Sequence, residues 1–314
     1  MSSGGGTKAI VAALSANLGI AVTKFVAFLL THSSSMLAES IHSLADSGNQ
    51  VLLLVGGKRA QRAATPQHPF GYGRERYVYG FVVSIVLFTV GGLFALYEAY
   101  HKWHDPHGID SWQWVPVVVL VAAIGMESYS FRTAIHESNA VRGDRSWKDF
   151  VRTAKAPELP VILLEDLAAL LGLVFALFGV TLTLLTGNGR WDAVGTAAIG
   201  VLLVVVAAVL AVEMKSLLLG ESANPEAVRR IEAALVGPGV SSIIHMRTLH
   251  LGPEELLVAA KIAVPPTESA ADVAEAIDAA EVRVREAVPI ARVIYLEPDI
   301  RRAAVSDPRA TVEP

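Results

Sequence analysis

Three ionisable side chains recur at helical spacing in the segment SSMLAESIHSLADSGNQVLLLVGG, which spans residues 34–57. Glu39, His42 and Asp46 stand at i, i+3 and i+7, so a helix places them within roughly 60° of one another on one face. A neutral imidazole and a carboxylate one turn apart can bind the same ion, and this pair of donors suits Zn²⁺. The spacing therefore predicts His42 and Asp46 as metal ligands, while Glu39 either lines the access route or has no specific role.

The position of this stripe in an apolar helix makes its charges informative. A carboxylate at the centre of a bilayer costs about 2.5 to 3.5 kcal/mol, so such groups normally face protein or water. The alternative to a metal site is that His42 and Asp46 are buried polar groups that join helices, with hydrogen bonds to nearby serine and asparagine side chains.

The composition is that of a membrane protein. Of its 314 residues, 53% are hydrophobic and only 18% are charged, and the mean hydropathy is positive. The formal net charge of −4 provides no general attraction to nucleic acid, so no nucleic-acid partner is expected. Because cysteine is absent, disulfides, thiolate metal sites and cysteine nucleophiles are excluded, and Cu(I) is disfavoured as a substrate.

Six apolar segments are each long enough to cross a bilayer as a helix. Basic residues concentrate in the loops at 58–76 and 142–155, so the positive-inside rule places these loops and both termini in the cytoplasm. The first segment shows no cleavage pattern and is interpreted as a retained helix. The sequence thus predicts a multi-pass protein of the cell (inner) membrane, with spans near Lys8–Leu30, Met36–Gly57, Tyr77–Tyr100, Val115–Phe131, Leu159–Leu185 and Ala193–Leu219.

The chain becomes more polar after the sixth span, and its pattern indicates a second domain. Helical and alternating segments follow in the order αββαβ, which predicts a small cytoplasmic α+β domain of ferredoxin-like type. The predicted organisation is a short N-terminal tail at 1–7, a six-helix transport domain at 8–219, a dimerisation domain at 220–300 and a flexible tail at 301–314.

The six spans, the stripe SSSMLAESIHSLADSGNQ, the loop HPFGYGRERY and the αββαβ domain together resemble the cation diffusion facilitator, or cation efflux, family of divalent metal transporters. The resemblance covers the chain from about Lys8 to about Pro298. It implies a homodimer, not an enzyme, that exchanges Zn²⁺ or a similar ion for protons by alternating access. The metal ion is then the substrate, and no prosthetic group is implied.

The resemblance also implies partner ligands in the fifth span, where the family has a His or Asp followed four residues later by Asp. Asp166 matches the second position, but Ile162 occupies the first. The fourth donor of a tetrahedral Zn²⁺ site would then come from water, from substrate-coupled proton exchange at the site, or from Glu165. Glu165 diverges from Asp166 by about 100° around the helix. With one imidazole fewer, Mn²⁺, Fe²⁺ and Co²⁺ remain open as substrates beside Zn²⁺.

His68, in the HPFGYGRE loop, is implied by the resemblance as part of a cytoplasmic metal site in some relatives. For transport, His42 would alternate between metal ligand and protonated imidazole, because imidazole titrates near neutral pH. The alternative function is a membrane scaffold that has lost transport and acts through protein contacts, which the incomplete fifth-span pair keeps open. The predicted metal residues are therefore His42, Asp46 and Asp166, followed by Glu165, Glu39 and His68.

Overall fold

The computed structural model describes residues 3–109 and 112–301, which divide into two compact units. The helical unit contains the chain up to Ala63 together with Arg74–Leu218. The C-terminal unit contains the chain from Leu219 onward and the loop Ala64–Gly73.

The loop Ala64–Gly73 is the difference from the predicted organisation, which included it in the transport domain at 8–219. Its backbone approaches the turn between the first two strands so closely that a Cβ on Gly73 would lie 2.8 Å from the carbonyl oxygen of Leu251. Only glycine therefore fits at this position without displacing the strand backbone. Apart from Arg301, the predicted tail at 301–314 lies outside the described residues.

The helical unit consists of long helices joined by short connections. Each predicted span lies within a helix, and the third lies within a continuous helical stretch, Glu75–His104, that contains a π-helical segment. A short helix at residues 147–153, which the sequence did not predict, lies between the fourth and fifth spans. The bounds are α1 Ser3–Thr31, α2 Ser34–Ala60, α3 Glu75–Val86, the π-helical segment Leu87–Leu93, α4 Phe94–His104, α5 Trp114–Arg142, α6 Trp147–Thr153, α7 Glu158–Thr186 and α8 Arg190–Leu219.

The start of α1 differs from the prediction, because the helix begins at Ser3, inside the segment 1–7 expected to be a tail. The segment contains no proline, which permits a helix, although Gly4, Gly5 and Gly6 disfavour one and so favour a later start.

Within residues 3–109 and 112–301, four helical stretches are long and apolar enough to cross a membrane by length and composition: Glu75–His104, α5, α7 and α8. The described residues of α1 add a shorter apolar stretch, Asn17–Thr31. Helix α2 is as long as the others but carries a polar face, and this face is buried against α1, α3 and α7. The polar face of α2 is thus shielded from lipid by its neighbours.

Small residues allow helices α7 and α8 to approach one another closely. A Cβ on Gly179 would lie 2.8 Å from the carbonyl oxygen of Trp191 and 3.2 Å from the Cα of Gly195. Such contacts replace the hydrophobic driving force that is weak between helices in lipid. They also fix α8 against α7 near the start of α8.

The C-terminal unit folds in the predicted order αββαβ. Its three-stranded sheet has the order β1-β2-β3, in which β1 and β2 are antiparallel and β2 and β3 are parallel. Along β2 the buried side chains alternate, and Leu256, Val258, Ala260 and Ile262 pack against the two helices of the unit. The bounds are α9 Pro225–Leu235, β1 Ser242–Gly252, β2 Glu255–Ala263, α10 Ala270–Ala287 and β3 Val293–Asp299.

The predicted fold class, a helical membrane protein with a C-terminal α+β domain, is therefore confirmed. Sequence signals account for the helix starts in the C-terminal unit, because Asn224 caps the backbone of Ala227 and Pro225 occupies the first turn of α9. At α10, Ser269 and Asp272 form a reciprocal capping box.

Candidate metal centre

The N-terminus of α2 is held by a carboxylate from α8, and this fixes where the helix begins. The Ser33 hydroxyl caps the backbone N–H of Met36, while the backbone N–H of Ser34 donates to Oδ2 of Asp192 at 2.8 Å. The Ser33 hydroxyl also donates to Oδ1 of Asp192 at 2.9 Å, and Asp192 is fully buried. An anion at a helix N-terminus is stabilised by the backbone N–H groups and the helix dipole. The three serines before Met36 thus set the register of the polar stripe on α2.

His42 and Asp46 lie one turn apart on α2, as the spacing predicts. The Nδ1 atom of His42 is 3.4 Å from Oδ1 of Asp46, and the side chains are 1% and 15% exposed. Among the residues that the structure describes, neither ring nitrogen of His42 has a hydrogen-bond partner. A buried imidazole without partners is costly, so these nitrogens are available to a ligand or to a proton.

Asp46 faces a small polar cavity of about 20 Å³, which is enough for about one water-sized occupant. The cavity lies between α1, α2, α5 and α7 and contains carboxylates from three of these helices. Asp166 and Glu165 both line it, although adjacent residues diverge by about 100° around a helix. The lining residues are Asn17, Ile20, Ser43, Asp46, Gln50, Glu127, Ser130, Ile162, Glu165 and Asp166.

The two acidic residues of α7 that line the cavity have different polar partners. The Nδ2 atom of Asn49 on α2 donates to Oε1 of Glu165 at 2.7 Å, and both side chains are buried. The Ser130 hydroxyl on α5 donates to Oδ2 of Asp166 at 2.9 Å. Each carboxylate therefore has one oxygen oriented by a neighbouring helix, which leaves the other oxygen for an ion.

Glu39 lies in a different environment from Asp46. It is fully buried, and its Oε2 atom accepts a hydrogen bond from Nζ of Lys24 at 3.0 Å. Oppositely charged groups at this distance form an ion pair within the helical unit. The helical spacing left Glu39 with either an access role or no specific role, and Lys24 was not predicted as its partner.

The predicted ligands do not converge on one point. Within residues 3–109 and 112–301, no three His, Asp or Glu side chains come together as a group that would hold a metal ion. Asp46, Glu165 and Asp166 line one cavity, whereas His42 is not among the residues lining it. Ile162 does line the cavity at the position where the resemblance implies a ligand. The cavity as it stands is thus lined by oxygen donors.

His68 belongs to the C-terminal unit, in the loop Ala64–Gly73. Its side chain is exposed, and its ring packs against that of Tyr72 with a centroid distance of 4.6 Å. The backbone N–H and carbonyl of His68 pair with those of Thr65. These contacts account for the loop conformation without a metal ion.

The predicted site residues did not include Lys24, Glu127, Ser130 or Asp192. A signal for Lys24 existed, because Asn17, Ile20 and Lys24 repeat on α1 the i, i+3, i+7 spacing of the stripe on α2. Asp192 had no such signal, since a carboxylate at the start of an apolar helix is common on helix dipole grounds alone.

The sequence of the helical unit is similar to that of known proteins. A sequence profile of the cation efflux transmembrane domain matches residues 10–219. Human "Proton-coupled zinc antiporter SLC30A9, mitochondrial" is 34% identical over 232 residues, which is 73% of this chain but 41% of the relative. The chain therefore spans less than half the length of that protein.

Two further relatives come from a plant and a bacterium. "Metal tolerance protein C4" of Arabidopsis thaliana is 26% identical over 81% of this chain and 56% of the relative. "Magnetosome protein MamM" of Magnetospirillum gryphiswaldense is 26% identical over 82% of this chain and 78% of the relative. These matches extend beyond the helical unit, because each covers more of the chain than residues 10–219.

Proposed function

Because the chain belongs to the cation efflux family, we propose that it carries a divalent metal cation across a membrane in exchange for protons. Zn²⁺ is the preferred substrate, which agrees with the name of the human relative as a proton-coupled zinc antiporter. The chain works as a homodimer and alternates the access of its site between the two sides of the membrane.

One observation carries this proposal: Asp46 of α2 lines the same cavity as Asp166 and Glu165 of α7. Carboxylates inside a membrane helix bundle are expensive unless they are paired, hydrogen-bonded or bind a ligand, and four of them line this one small cavity. Zn²⁺ accepts carboxylate oxygen and imidazole nitrogen, and His42 is one turn from Asp46 with both ring nitrogens unpaired among the described residues. The proposed ligands are therefore Asp46, Asp166 and His42, with Glu165 as the added oxygen donor.

Competition between metal and protons couples the two flows. The same imidazole and carboxylates that bind Zn²⁺ when deprotonated bind protons when the metal leaves. His42 does not line the cavity in this structure, although its Nδ1 atom is 3.4 Å from Oδ1 of Asp46, which does. In this scheme a state in which the His42 ring also reaches the cavity has the stronger metal site, and return to the present arrangement releases the ion.

The cavity lining also favours a second group of ions. With Ile162 in place of a nitrogen or oxygen ligand, the site has more oxygen than nitrogen donors, and oxygen donors suit Mn²⁺ and Fe²⁺. Transport of Mn²⁺, Fe²⁺ or Co²⁺ is therefore the second candidate within the same mechanism.

We assign the chain to a cell (inner) membrane with both termini in the cytoplasm, because its basic loops at 58–76 and 142–155 lie on one side of the predicted topology. His68 lies in the first of these loops and is a candidate for a cytoplasmic access site. The C-terminal α+β unit is the proposed dimerisation module.

Transport by purified protein in sealed liposomes tests the function. With an acidic lumen, efflux of protons should drive Zn²⁺ into the liposomes, and a protonophore that collapses the gradient should abolish the accumulation. Parallel assays with Mn²⁺, Fe²⁺ and Co²⁺ determine the ion preference. If none of the four ions is transported with or without the gradient, a scaffold role replaces the transporter assignment.

A further inference from the structure

Lys24 is a buried cation in the middle of the polar core. Its side chain is 1% exposed, and its Nζ atom donates to Oε2 of Glu39 at 3.0 Å and to the Ser43 hydroxyl at 2.8 Å. Burying an ammonium is costly unless a carboxylate and further acceptors compensate for its lost hydration. The two contacts supply this compensation, so Lys24 is held in a defined place.

Asn17, Ile20 and Lys24 form a stripe on α1. It runs antiparallel to the polar stripe on α2. Lys24 contacts Glu39 at one end, and Asn17 lines the same cavity as Asp46 at the other end. Helices α1 and α2 are joined by only two residues, as expected for antiparallel neighbours. Ser43 connects the two ends, because it lines the cavity and accepts a hydrogen bond from Lys24. The ammonium is therefore one hydrogen bond from the wall of the cavity.

The second oxygen of Glu39 shows that this carboxylate is confined by α7 as well as by Lys24. Its Oε1 atom has no hydrogen-bond partner among the described residues. A Cβ on Gly172 of α7 would lie 2.6 Å from this atom, so a larger residue there would displace the Glu39 carboxylate from its present position. Glu39 thus retains a free acceptor oxygen but is held in place on both sides.

Carboxylates outnumber the ammonium of Lys24 in and around the cavity. The cavity is lined by Asp46, Glu127, Glu165 and Asp166, and Glu39 adds a further carboxylate beyond Ser43. A positive charge fixed near these groups offsets part of their attraction for a cation, because Coulomb forces are weakly screened inside a membrane protein.

We propose that Lys24 is a tethered counter-cation that keeps the affinity of the cavity for a divalent ion low and prevents Glu39 from acting as a ligand. This inference rests on the proposed function. A transporter must release its ion, and an ammonium that cannot leave the site favours release in each cycle. Lys24 is a positioning residue, because it acts on the metal through charge and through Glu39.

Calorimetric titration of the full chain in detergent with Zn²⁺ tests this inference. Lys24→Met removes the charge with little change in volume and should bind Zn²⁺ at least about tenfold more tightly. Lys24→Arg retains the charge and should bind as the wild type does. Lys102→Met is the matched control, since Lys102 is also buried but donates to the backbone carbonyl of His32.

A second pair of variants covers loss of folding in Lys24→Met. Glu39→Gln leaves the ammonium without its carboxylate and should weaken Zn²⁺ binding at least about tenfold, while Lys24→Met/Glu39→Gln restores the neutral pair and wild-type affinity. A merely structural role would not produce opposite changes that cancel.

The outcomes separate this inference from the proposed function. If the wild type binds Zn²⁺ but Lys24→Met binds it no more tightly than Lys102→Met does, or Glu39→Gln binds it unchanged, the inference is overturned alone. A wild type that binds none of Zn²⁺, Mn²⁺, Fe²⁺ and Co²⁺ contradicts the proposed function and removes the basis of the inference.

Discussion

Replacement of Asp192 tests whether the start of α2 is held by the carboxylate of α8. In the wild type, Asp192 accepts hydrogen bonds from the backbone N–H groups of Ser34 and Ser35 at 2.8 and 3.3 Å and from the Ser33 hydroxyl at 2.9 Å. Asp192→Ala removes these acceptors from a position that is 0% exposed. Water does not readily replace them there.

The expected loss follows from these contacts. Two buried backbone N–H groups without an acceptor cost about 1 to 3 kcal/mol each. Loss of the negative charge at the helix N-terminus adds about 0.3 to 2 kcal/mol. Asp192→Ala should therefore lower the free energy of unfolding of the helical unit by about 2 to 8 kcal/mol, and Asp192→Asn, which retains one acceptor oxygen, should lower it by about half as much.

Equilibrium unfolding in mixed micelles with an increasing fraction of a denaturing detergent measures these differences. Asp144→Asn is the control, because Asp144 lies exposed in the loop after α5 and its replacement should change the free energy by less than about 0.5 kcal/mol. If Asp192→Ala costs less than about 1 kcal/mol, the carboxylate does not hold the start of α2, and the register of the stripe on α2 has another cause.

Two further predictions concern the cavity and the C-terminal unit. Ile162→His places a nitrogen donor one turn from Asp166 and should tighten Zn²⁺ binding at least about tenfold in calorimetry, or about 1.4 kcal/mol. An affinity no higher than that of Ile162→Leu would show that the missing ligand position is not at Ile162. Hydrogen bonds from Ser269 lower the pKa of Asp272 below its ordinary value of 3.8, so its ionised form stabilises the start of α10. This stabilisation is present above the unfolded pKa and is lost as the pH falls through the lower folded pKa. Amide hydrogen exchange in the first turn of α10, corrected for the intrinsic rate at each pH, should therefore accelerate as the pH falls through that range. An identical pH dependence in Asp272→Asn would refute this assignment.

Local patterns in the sequence were sufficient for most of the fold. The apolar segments are longer than any strand requires, and the alternation at Leu256, Val258 and Ala260 in β2 has the period of a half-buried strand. Pro225 and Ser269 stand at the starts of α9 and α10, positions that their local chemistry favours. Helix type, order and approximate bounds therefore followed from neighbours within a few residues.

Contacts between distant parts of the chain could not be predicted in the same way. Ser34 and Asp192 are 158 positions apart, and no local rule connects them. Likewise, the assignment of the loop Ala64–Gly73 to the C-terminal unit depends on the packing of Gly73 against Gly252. These features arise from tertiary packing between residues far apart in the chain, which patterns within a few residues do not reveal.

At the candidate site, too, local spacing predicts some features, while others depend on tertiary packing. Helical spacing correctly places His42 and Asp46 one turn apart, but it gives only an angle around the axis and not what each side chain faces. In the structure Asp46 lines the cavity and His42 does not. Spacing also places Glu165 and Asp166 about 100° apart around α7, yet both line the cavity in the structure. The assignment of these residues as ligands stays a prediction.

Zinc uptake into liposomes by Asp46→Asn and Asp166→Asn tests the central claim most directly. Each substitution retains the shape of the side chain and removes one negative charge from the cavity that α2 and α7 share. With an acidic lumen and equal amounts of folded protein, uptake by either variant should fall to the level of protein-free liposomes, while Asp144→Asn transports as the wild type does. Near-normal uptake by both cavity variants would contradict the claim that this cavity binds the transported ion.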